Sequence, residues 1–320
     1  MHPMKLLFVA DPLDTFKTHK DSTFAMMREA AARGHELWAC EPRELVWQRG
    51  GVVTATARRV QLTGDAHDWY DELEAAEVPL CRMDAVLMRK DPPFDAEYLY
   101  CTHLLTQAER EGARVFNRPE ALRAHPEKLA ILEFPQHIAP TLVTRDMAAV
   151  RAFHAQHRDV ILKPLDGMGG MGIFRVKDDG LNLGSIAETL TKDGTQTIMV
   201  QAFLPAIAEG DKRVLLIDGV PVPYALARIP QGGEVRGNLA AGGKGVAQAL
   251  SDSDRAIAEH LGPILAARGL LLVGLDIIGD RLTEINVTSP TCFQEITDQT
   301  GFNVAQRFMD ALTDQVTRAA

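Results

Sequence analysis

The sequence predicts an α/β protein whose first third is built on a parallel sheet and whose later parts are α+β. Three observations support this prediction. Short apolar runs typical of buried strands alternate with helical patterns through about residue 120. Further along, strand-like runs are joined by short turns that contain glycine, which suits antiparallel pairing. The length of 320 residues suggests two or three domains.

The first part contains alternating strands and helices with recognisable ends. The expected strands are 5–10, 36–39, 85–88 and 113–116, and the expected helices are 22–33 and 95–111. Asp21 or Ser22 can cap the first helix, and Gly34 supplies a left-handed stop. We expect this domain to end near residue 122.

The remaining chain mixes helices, strands and two glycine-rich stretches, 167–172 and 230–245. The expected helices are 126–133, 146–157, 185–191, 252–268 and 303–318. The expected strands are 141–144, 160–163, 174–176, 197–203, 213–218, 222–228, 270–278 and 282–287. The second glycine-rich stretch suits a loop that closes over bound substrate and excludes water.

Composition and charge exclude several classes of function. Lys and Arg number 34 against 43 Asp and Glu, so a net charge of -9 argues against binding nucleic acid or anionic membranes. Any anionic ligand must therefore meet a local cationic site. Four scattered cysteines predict reduced thiols. No run is long and apolar enough for a signal or membrane segment, so we expect a soluble, cytoplasmic protein.

The first strand is followed by a turn that lacks glycine. Asp11-Pro12-Leu13-Asp14 has none of the glycines that let a backbone approach a pyrophosphate, which argues against a nicotinamide-dependent dehydrogenase. Two polar segments, 17–22 and 88–94, lie in loops where open α/β sheets hold ligands. Ligand-binding loops and solvated turns remain equally good interpretations of them.

An acidic hairpin near the C-terminus predicts a metal site. If residues 279–281 form the turn, Asp276 lies opposite Glu284, and Asn286 follows on the same face. Two carboxylates and an amide suit Mg²⁺, which completes its shell with water and substrate phosphates. The alternative is a charged hairpin facing solvent, which the apolar neighbours in both strands make less favourable.

A lysine followed by glycines predicts a phosphate-binding loop. Lys163 ends a strand, and Gly167, Gly169, Gly170 and Gly172 follow within nine residues. One fixed cation would then lie beside backbone N–H groups that can wrap phosphate oxygens. No Lys-Ser or Lys-Thr follows the glycines, so this is not a Walker A loop. A flexible connector is the alternative.

Arginines near the second glycine-rich stretch could reach the same site. Arg213 and Arg228 lie in two strands expected to pair, and both could stabilise charge on a transferring phosphoryl group. Arg236 and Asn238 lie within the stretch itself. Taken singly, an arginine is more often a surface residue.

These motifs together resemble the ATP-grasp superfamily, and in detail the prokaryotic-type glutathione synthetase family. The resemblance rests on residues 88–94, 163–170, 228–234, 236–243 and 284–291 and extends over essentially the whole chain. It implies an ATP-grasp fold preceded by a parallel-sheet, Rossmann-like (pre-ATP-grasp) domain. The implied parts are a substrate domain (1–122), a central lid (123–203) and a catalytic part (204–320).

The family pattern also implies a role for each matching residue. The residues implied to bind ATP are Lys128, Lys163, Gly167, Gly169, Gly170, Gly172, Gln201, Phe203, Leu204 and Asp211. Those implied to hold two Mg²⁺ ions, or Mn²⁺, are Asp276, Glu284 and Asn286. Those implied to be catalytic are Arg213, Arg228 and Arg236. Those implied to bind the other substrates are Lys20, Asp21, Ser22, Arg89, Asn238, Ser289, Pro290 and Thr291. The segment 201–204, against which adenine would sit, departs from many ATP-grasp hinges because it begins with Gln201 rather than an acidic residue.

The implied activity is ATP-dependent joining of γ-glutamylcysteine and glycine through an acyl phosphate, giving glutathione, ADP and phosphate. The implied assembly is a cytoplasmic homo-oligomer, expected to be a tetramer. Two alternatives remain open: another ATP-grasp amino-acid ligase, and an ATP-binding scaffold without activity. A nucleophilic role for Cys292 is disfavoured because no histidine lies near it in the sequence.

Overall fold

The computed structural model describes residues 3–232, 236–239 and 242–318. In these ranges the strands form three sheets, one in each successive part of the chain. The elements of the first part are β1 (Lys5–Val9), α1 (Ser22–Ala32), β2 (Glu36–Cys40), β3 (Leu45–Val46), β4 (Thr54–Leu62), β5 (Tyr70–Pro79), β6 (Ala85–Met88), α2 (Ala96–Arg110), β7 (Val115–Phe116) and α3 (Pro119–Ala124).

The N-terminal sheet has a parallel centre, as the sequence predicts. Its strand order is β3-β4-β2-β1-β6-β7, with β5 paired to β4. Strand β1 runs parallel to both β2 and β6, so the chain order reverses beside it. Ligands bind open α/β sheets at the carboxyl ends of strands where this reversal occurs. At that edge Lys90 forms an ion pair with Asp11 at 2.8 Å.

The ends of α1 are set by the residues that the sequence indicates. The Asp21 carboxylate accepts a hydrogen bond from the Phe24 N–H at 2.8 Å, which caps the helix. Gly34 follows the helix with a φ of 77°, a conformation that glycine adopts without steric cost.

The sequence prediction missed one hairpin of this sheet. Strands β4 and β5 pair antiparallel and extend it at one edge. Arg58 and Arg59 on β4 lie 3.6 and 3.5 Å from Glu72 and Glu74 on β5. Strand β5 is mostly exposed and acidic, so it lacks the apolar alternation by which strands are recognised.

The central part forms a four-stranded antiparallel sheet with order β10-β9-β11-β8 among the described residues. Its elements are β8 (Thr141–Thr144), α4 (Met147–His157), β9 (Val160–Pro164), β10 (Phe174–Val176), α5 (Leu183–Thr191) and β11 (Ile198–Ala202). The expectation of a helix over 126–133 is wrong. The chain turns near 127–129, and a short 3₁₀ helix, Ala130–Glu133, follows.

The C-terminal part forms a five-stranded antiparallel sheet with order β14-β13-β12-β15-β16 over its described residues. Its elements are β12 (Asp211–Ile217), β13 (Val220–Ile229), β14 (Lys244–Ala249), α6 (Asp252–Ala267), β15 (Leu272–Ile278), β16 (Arg281–Asn286), α7 (Phe293–Thr300) and α8 (Val304–Arg318). Strand β14 and helix α7 were not predicted from the sequence.

The N-terminal and C-terminal parts share a hydrophobic core. Val304, Phe308 and Leu312 of α8 are almost fully buried in a cluster that also contains residues of β1 and α1. The Asn117 side chain crosses the boundary, donating to the carbonyls of Leu272 and Val287 at 2.7 and 2.8 Å. This shared core fixes the first sheet against the third. Among the described helices, none has both the length and the apolar character needed to cross a membrane.

Candidate active site

A cavity of about 300 Å³ is lined by residues of the central and C-terminal sheets. This volume lies at the lower end of the range for small-molecule sites. The sequence-predicted residues that line it are Lys128, Lys163, Gly167, Gly169, Gly170, Gln201, Phe203, Leu204, Asp211, Arg213, Arg228, Arg236, Asn238, Asp276, Glu284, Asn286, Ser289 and Thr291. The structure therefore brings together groups that the sequence separates by more than 160 positions.

The acidic hairpin has the predicted register. In the pairing of β15 with β16, Asp276 faces Glu284, and Gly274 faces Asn286. A register shift follows Asp276, next to the turn. Since side chains alternate along a strand, Glu284 and Asn286 lie on one face, and Asp276 joins them. All three line the cavity.

Two arginines neutralise the Asp276 carboxylate. Arg213 donates from Nε to Oδ1 at 2.5 Å and from Nη2 to Oδ2 at 3.1 Å. Arg228 Nη2 lies 2.8 Å from Oδ2. Burial alone would raise the pKa of the Asp276 carboxyl, but Arg213 and Arg228 outweigh it and hold that pKa well below its usual range. Asp276 therefore does not depend on a metal ion to compensate its buried charge, because the two arginines already supply positive charge.

The Arg213 side chain passes directly over Gly274. An added Cβ at Gly274 would lie 2.8 Å from Arg213 Cδ and 3.1 Å from its Nε. Glycine is required here because any side chain would occupy the path of the arginine. Glycine is needed here for lack of space and not for an unusual backbone conformation, since the residue lies within a regular strand.

The donor set at the hairpin fits a hard divalent cation. Among the described residues, no group of three or more His, Cys, Asp or Glu side chains could hold a metal. A site here must therefore combine carboxylates with the Asn286 amide, and such oxygen ligands suit Mg²⁺. The Glu284 side chain is 21% exposed and reaches the cavity. Asp276 retains acceptor capacity beside its arginines, because an ionised carboxylate has about four lone-pair sites.

Asp211 adds a further acceptor to the cavity. Arg228 Nη2 donates to its Oδ2 at 2.5 Å, whereas its buried Oδ1 has no hydrogen-bond partner in the described structure. Burial raises the pKa of Asp211 to about 6, with Arg228 opposing this rise and Asp276 adding to it. An unpartnered buried oxygen that lines a cavity is suited to accept from a bound ligand.

Two lysines extend from different segments toward the hairpin. Lys128 Nζ donates to Glu284 Oε1 at 3.1 Å and to the Gly167 carbonyl at 2.5 Å. Lys163 Nζ lies 3.4 Å from the Thr283 carbonyl. Burial lowers the pKa of Lys163 to about 8, with Glu284 opposing this change and Lys128 adding to it. Both ammonium groups thus lie beside the hairpin and the glycine-rich loop.

The glycine-rich loop touches the second glycine-rich stretch. Gly170 has a φ of 82°, and an added Cβ would lie 2.7 Å from Asn238 Oδ1. Arg236 Nη1 donates to the Gly170 carbonyl at 3.4 Å. Gly172 does not line the cavity, in contrast to the other three predicted glycines of this loop. Of the predicted closing loop 230–245, residues 233–235, 240 and 241 lie outside the described residues.

Residues 201–204, at the end of β11 and just beyond it, line the cavity. Gln201 Nε2 donates to Thr141 Oγ1 at 2.9 Å, which fixes its side chain. The Arg175 guanidinium lies 3.4 Å from the centroid of the Phe203 ring, and two hydrogen bonds to Asp159 hold that guanidinium in place. Apolar side chains that also line the cavity are Ile161, Ile173, Leu204, Ile207 and Ile278.

Five residues predicted to bind substrate are absent from the cavity lining: Lys20, Asp21, Ser22, Arg89 and Pro290. Asp21 caps α1, and Ser22 Oγ accepts from the Phe293 N–H at 3.2 Å. Arg89 is buried and donates to Thr23 Oγ1 and to the Pro290 carbonyl, both at 3.1 Å. These contacts connect the N-terminal part to the segment that precedes α7.

The cavity lining also includes residues to which the sequence analysis assigned no site role, among them Asp91, Glu127, Thr288 and Cys292. Asp91 lies within a motif that the sequence singles out, and Glu127 immediately precedes Lys128. Burial raises the pKa of the Cys292 thiol, with Arg213 and Arg228 opposing that rise. A buried, neutral thiol is a poor nucleophile.

Comparison with known proteins finds two family models and several relatives that match this chain. A family model described as the ATP-grasp domain of prokaryotic glutathione synthetase matches residues 127–301. A second, described as the N-terminal domain of prokaryotic glutathione synthetase, matches residues 4–123. The glutathione synthetase of Ralstonia nicotianae is 64% identical over 309 residues, covering 97% of this chain and 95% of that protein. The glutathione synthetase of Nitrosomonas europaea is 59% identical over 319 residues, covering 98% and 99%.

Solved structures share the fold at much lower identity. D-cycloserine synthetase DcsG superposes with a TM-score of 0.67 at 18% identity, covering 98% of this chain and 99% of that one. The ATP-grasp ligase PsnB, complexed with its minimal precursor, Mg and ADP, gives 0.62 at 20% identity, covering 98% of each. These similarities confirm the predicted ATP-grasp fold.

Proposed function

Because this chain belongs to the prokaryotic glutathione synthetase family, we propose that its cavity is the site where γ-glutamylcysteine and glycine are joined in an ATP-dependent reaction. The chain is a glutathione synthase, an ATP-dependent carbon–nitrogen ligase. Its products are glutathione, ADP and phosphate. The proposal adds an assignment of roles to the residues around the cavity.

The reaction needs an activated carboxylate. A free carboxylate is a poor electrophile, because its oxygen is a poor leaving group. Attack of the γ-glutamylcysteine C-terminal carboxylate on the γ-phosphorus of ATP gives an acyl phosphate and ADP. The amine of glycine then attacks the acyl carbon, and the tetrahedral intermediate expels phosphate. Catalysis of such steps depends mainly on positioning and on charge stabilisation.

Each group of residues has a part in this scheme. Lys128, Lys163 and the 167–170 loop would hold the nucleotide phosphates, since they lie beside one another in the cavity. Gln201 and the apolar residues around it would surround the adenine. Arg213 and Arg228 would stabilise charge on the acyl phosphate and oxyanion. Each guanidinium carries five N–H donors, and the described ion pairs use only some of them.

Asp276, Glu284 and Asn286 would hold Mg²⁺, and we propose two ions with Mn²⁺ as a substitute. When bound, the metal would offset negative charge on the phosphate oxygens. Contact between the 167–172 loop and Arg236 would help to exclude water from the acyl phosphate. The proposed contacts for the amino-acid substrates are Asn238, Ser289 and Thr291, which all line the cavity. We also propose a role in substrate binding for five residues outside the cavity lining, which would hold the substrate-contacting residues in place: Lys20, Asp21, Ser22, Arg89 and Pro290.

The observation that carries the proposal is the meeting of two lysines, a glycine-rich loop and three oxygen donors at one cavity. The test measures ADP formation with γ-glutamylcysteine and glycine, separately and together. Full turnover should need both. D-alanine or a peptide acceptor in place of these substrates tests a different ATP-grasp ligase, and turnover that depends on one of those alone would contradict the assignment.

The proposal also covers the domain limits, the cellular location and the oligomeric state. The domain limits are 1–122 for the substrate domain, 123–203 for the lid and 204–320 for the catalytic part. The protein would act in the cytoplasm as a homotetramer. Sedimentation of the purified protein tests this last point, and a monomer at the concentrations of the assay would contradict it.

A further inference from the structure

The segment before Lys128 lies along the end of strand β16. The Glu127 carbonyl accepts a hydrogen bond from the Ile285 N–H at 3.0 Å. The Glu127 side chain continues this contact beyond the strand. Its Oε1 accepts from the Val287 N–H at 3.0 Å, from the Thr288 N–H at 3.1 Å and from Thr288 Oγ1 at 2.8 Å. One carboxylate oxygen therefore satisfies two backbone donors and a hydroxyl.

The residues held by Glu127 join two parts of the proposed site. Asn286, a proposed metal ligand, immediately precedes Val287. Thr288, Ser289 and Thr291 follow and line the cavity. The chain has left β16 at this point, so the sheet no longer provides partners for its N–H groups. Without Glu127, the path of this segment would depend on far fewer contacts.

Other contacts show that the segment is held from two sides. The Val287 carbonyl accepts from Asn117 Nδ2 at 2.8 Å, while its N–H donates to Glu127. Lys128 reaches Glu284 and Gly167. Two consecutive residues, Glu127 and Lys128, thus contact the segment after Asn286, the hairpin carboxylate and the glycine-rich loop.

We propose that Glu127 is a positioning residue for ligation, which fixes the segment 286–289 through the geometry of Oε1 and not through its charge. This inference rests on the proposed function of the cavity. All three side-chain contacts converge on one oxygen. The oxygen of a glutamine amide can occupy the same place, whereas aspartate is shorter by one carbon–carbon bond of about 1.5 Å and cannot reach it.

Three variants separate geometry from charge. Glu127→Gln keeps the acceptor and removes the charge, Glu127→Asp keeps the charge and withdraws the acceptor, and Glu127→Ala removes both. We expect kcat/KM of the Gln variant to stay within about five-fold of the original protein, because positioning is preserved. For the Asp and Ala variants we expect a fall of about 100-fold, because displacement of about 1 Å has effects of this size. In the Asp and Ala variants kcat should fall, and the Mg²⁺ concentration needed for half-maximal rate should rise.

Hydrogen exchange gives a readout that does not need turnover. The amides of Val287 and Thr288 should remain protected in the Gln variant and exchange at least ten-fold faster in the Asp and Ala variants. The matched control is Glu111→Ala. Glu111 also accepts three hydrogen bonds, from Val53 N–H, Gln107 and Trp47, but it does not line the cavity. Its removal should leave kcat, the Mg²⁺ requirement and exchange at 287–288 unchanged.

The outcomes distinguish this inference from the proposed function. If the original protein does not join γ-glutamylcysteine to glycine, the proposed function fails, while the exchange pattern still reports on positioning. A Gln variant as impaired as the Ala variant would overturn the inference, since charge would then be the important property. An Asp or Ala variant with normal kcat and protected amides would overturn it equally.

Discussion

A methyl group added at Gly274 should impair the site by displacing Arg213, although every charged side chain of the site is kept. In Gly274→Ala, the new Cβ would lie 2.8 Å from Arg213 Cδ, whereas ordinary contact begins at 3.4 Å. The arginine must therefore move by about 0.6 Å. It cannot swing away freely, because its guanidinium is buried and held by Asp276 at 2.5 and 3.1 Å.

The size of the effect follows from this geometry. Overpacking of a buried site typically costs about 1–3 kcal/mol of unfolding free energy, which lowers the melting temperature by a few degrees. The movement of Arg213 also lengthens at least one contact with Asp276. Since misplacement of about 1 Å can reduce catalysis about 100-fold, we expect kcat to fall by about 10- to 100-fold. The glycine KM should change less.

The assay is steady-state ADP formation with both substrates, together with thermal unfolding. Gly51→Ala is the matched control, because its Cβ would meet only the Gln48 carbonyl at 3.5 Å, in a loop that does not line the cavity. The control should retain full activity. A Gly274→Ala enzyme with normal kcat and normal melting temperature would refute the assignment of Arg213 to a fixed, catalytically important position.

Three further predictions concern the charged groups and the thiol. Glu284→Gln should reduce ligation at least 100-fold with little change in the free energy of unfolding. Asp276→Asn should reduce activity and also lower the free energy of unfolding by about 3–5 kcal/mol, because buried Arg213 loses its described carboxylate partner and Arg228 keeps only Asp211. Equal stability of the two variants would contradict this difference. Because burial lowers the pKa of Lys163 to about 8, the free enzyme loses that proton as pH rises through this value, so ADP affinity should fall above about pH 8. Calorimetry near pH 9 should then show proton uptake on binding, which Lys163→Arg abolishes because arginine stays protonated. Cys292→Ala should keep ligation within about five-fold, because a buried neutral thiol is a poor nucleophile, and a loss of 1000-fold in rate assays would restore a chemical role for it.

The acidic hairpin was predictable because its register depends on local rules. A short turn containing Gly279 fixes which residues face each other, and alternation then brings Asp276, Glu284 and Asn286 together. No long-range information is needed for this step. The compensation of Asp276 by Arg213 and Arg228 was not predictable, because it depends on the lateral order of strands β12, β13 and β15 in the sheet.

The missed hairpin β4–β5 shows the limit of periodicity. Strand β5 is an edge strand with exposed residues on both faces, so nothing selects an apolar alternation along it. Its acidic residues and alanines are also common in helices. The arginines of β4 that pair with Glu72 and Glu74 are the partners that make a strand favourable here.

The wrong helix at 126–133 has a related cause. The sequence has good helical residues, but Glu127 accepts from the backbone N–H groups of residues 285, 287 and 288, and Lys128 reaches Glu284 and Gly167. These contacts require a path that a continuous helix does not provide. Tertiary hydrogen bonds therefore override local propensity at the segment that leads into the site.

The charges around the cavity explain why a metal-dependent site is consistent with an acidic protein. Among the described lining residues, five are cationic and five are acidic: Lys128, Lys163, Arg213, Arg228 and Arg236, and Asp91, Glu127, Asp211, Asp276 and Glu284. The cavity is thus close to neutral in a chain with a net charge of -9. Arginines and lysines balance the carboxylates and leave little surplus for a polyphosphate. The additional positive charge must come with the ligand, which is the contribution that divalent cations make to nucleotide sites. The carboxylates near the phosphate loop then serve to attract those cations, while Arg213 and Arg228 lower the pKa of Asp276 and so favour its ionised form.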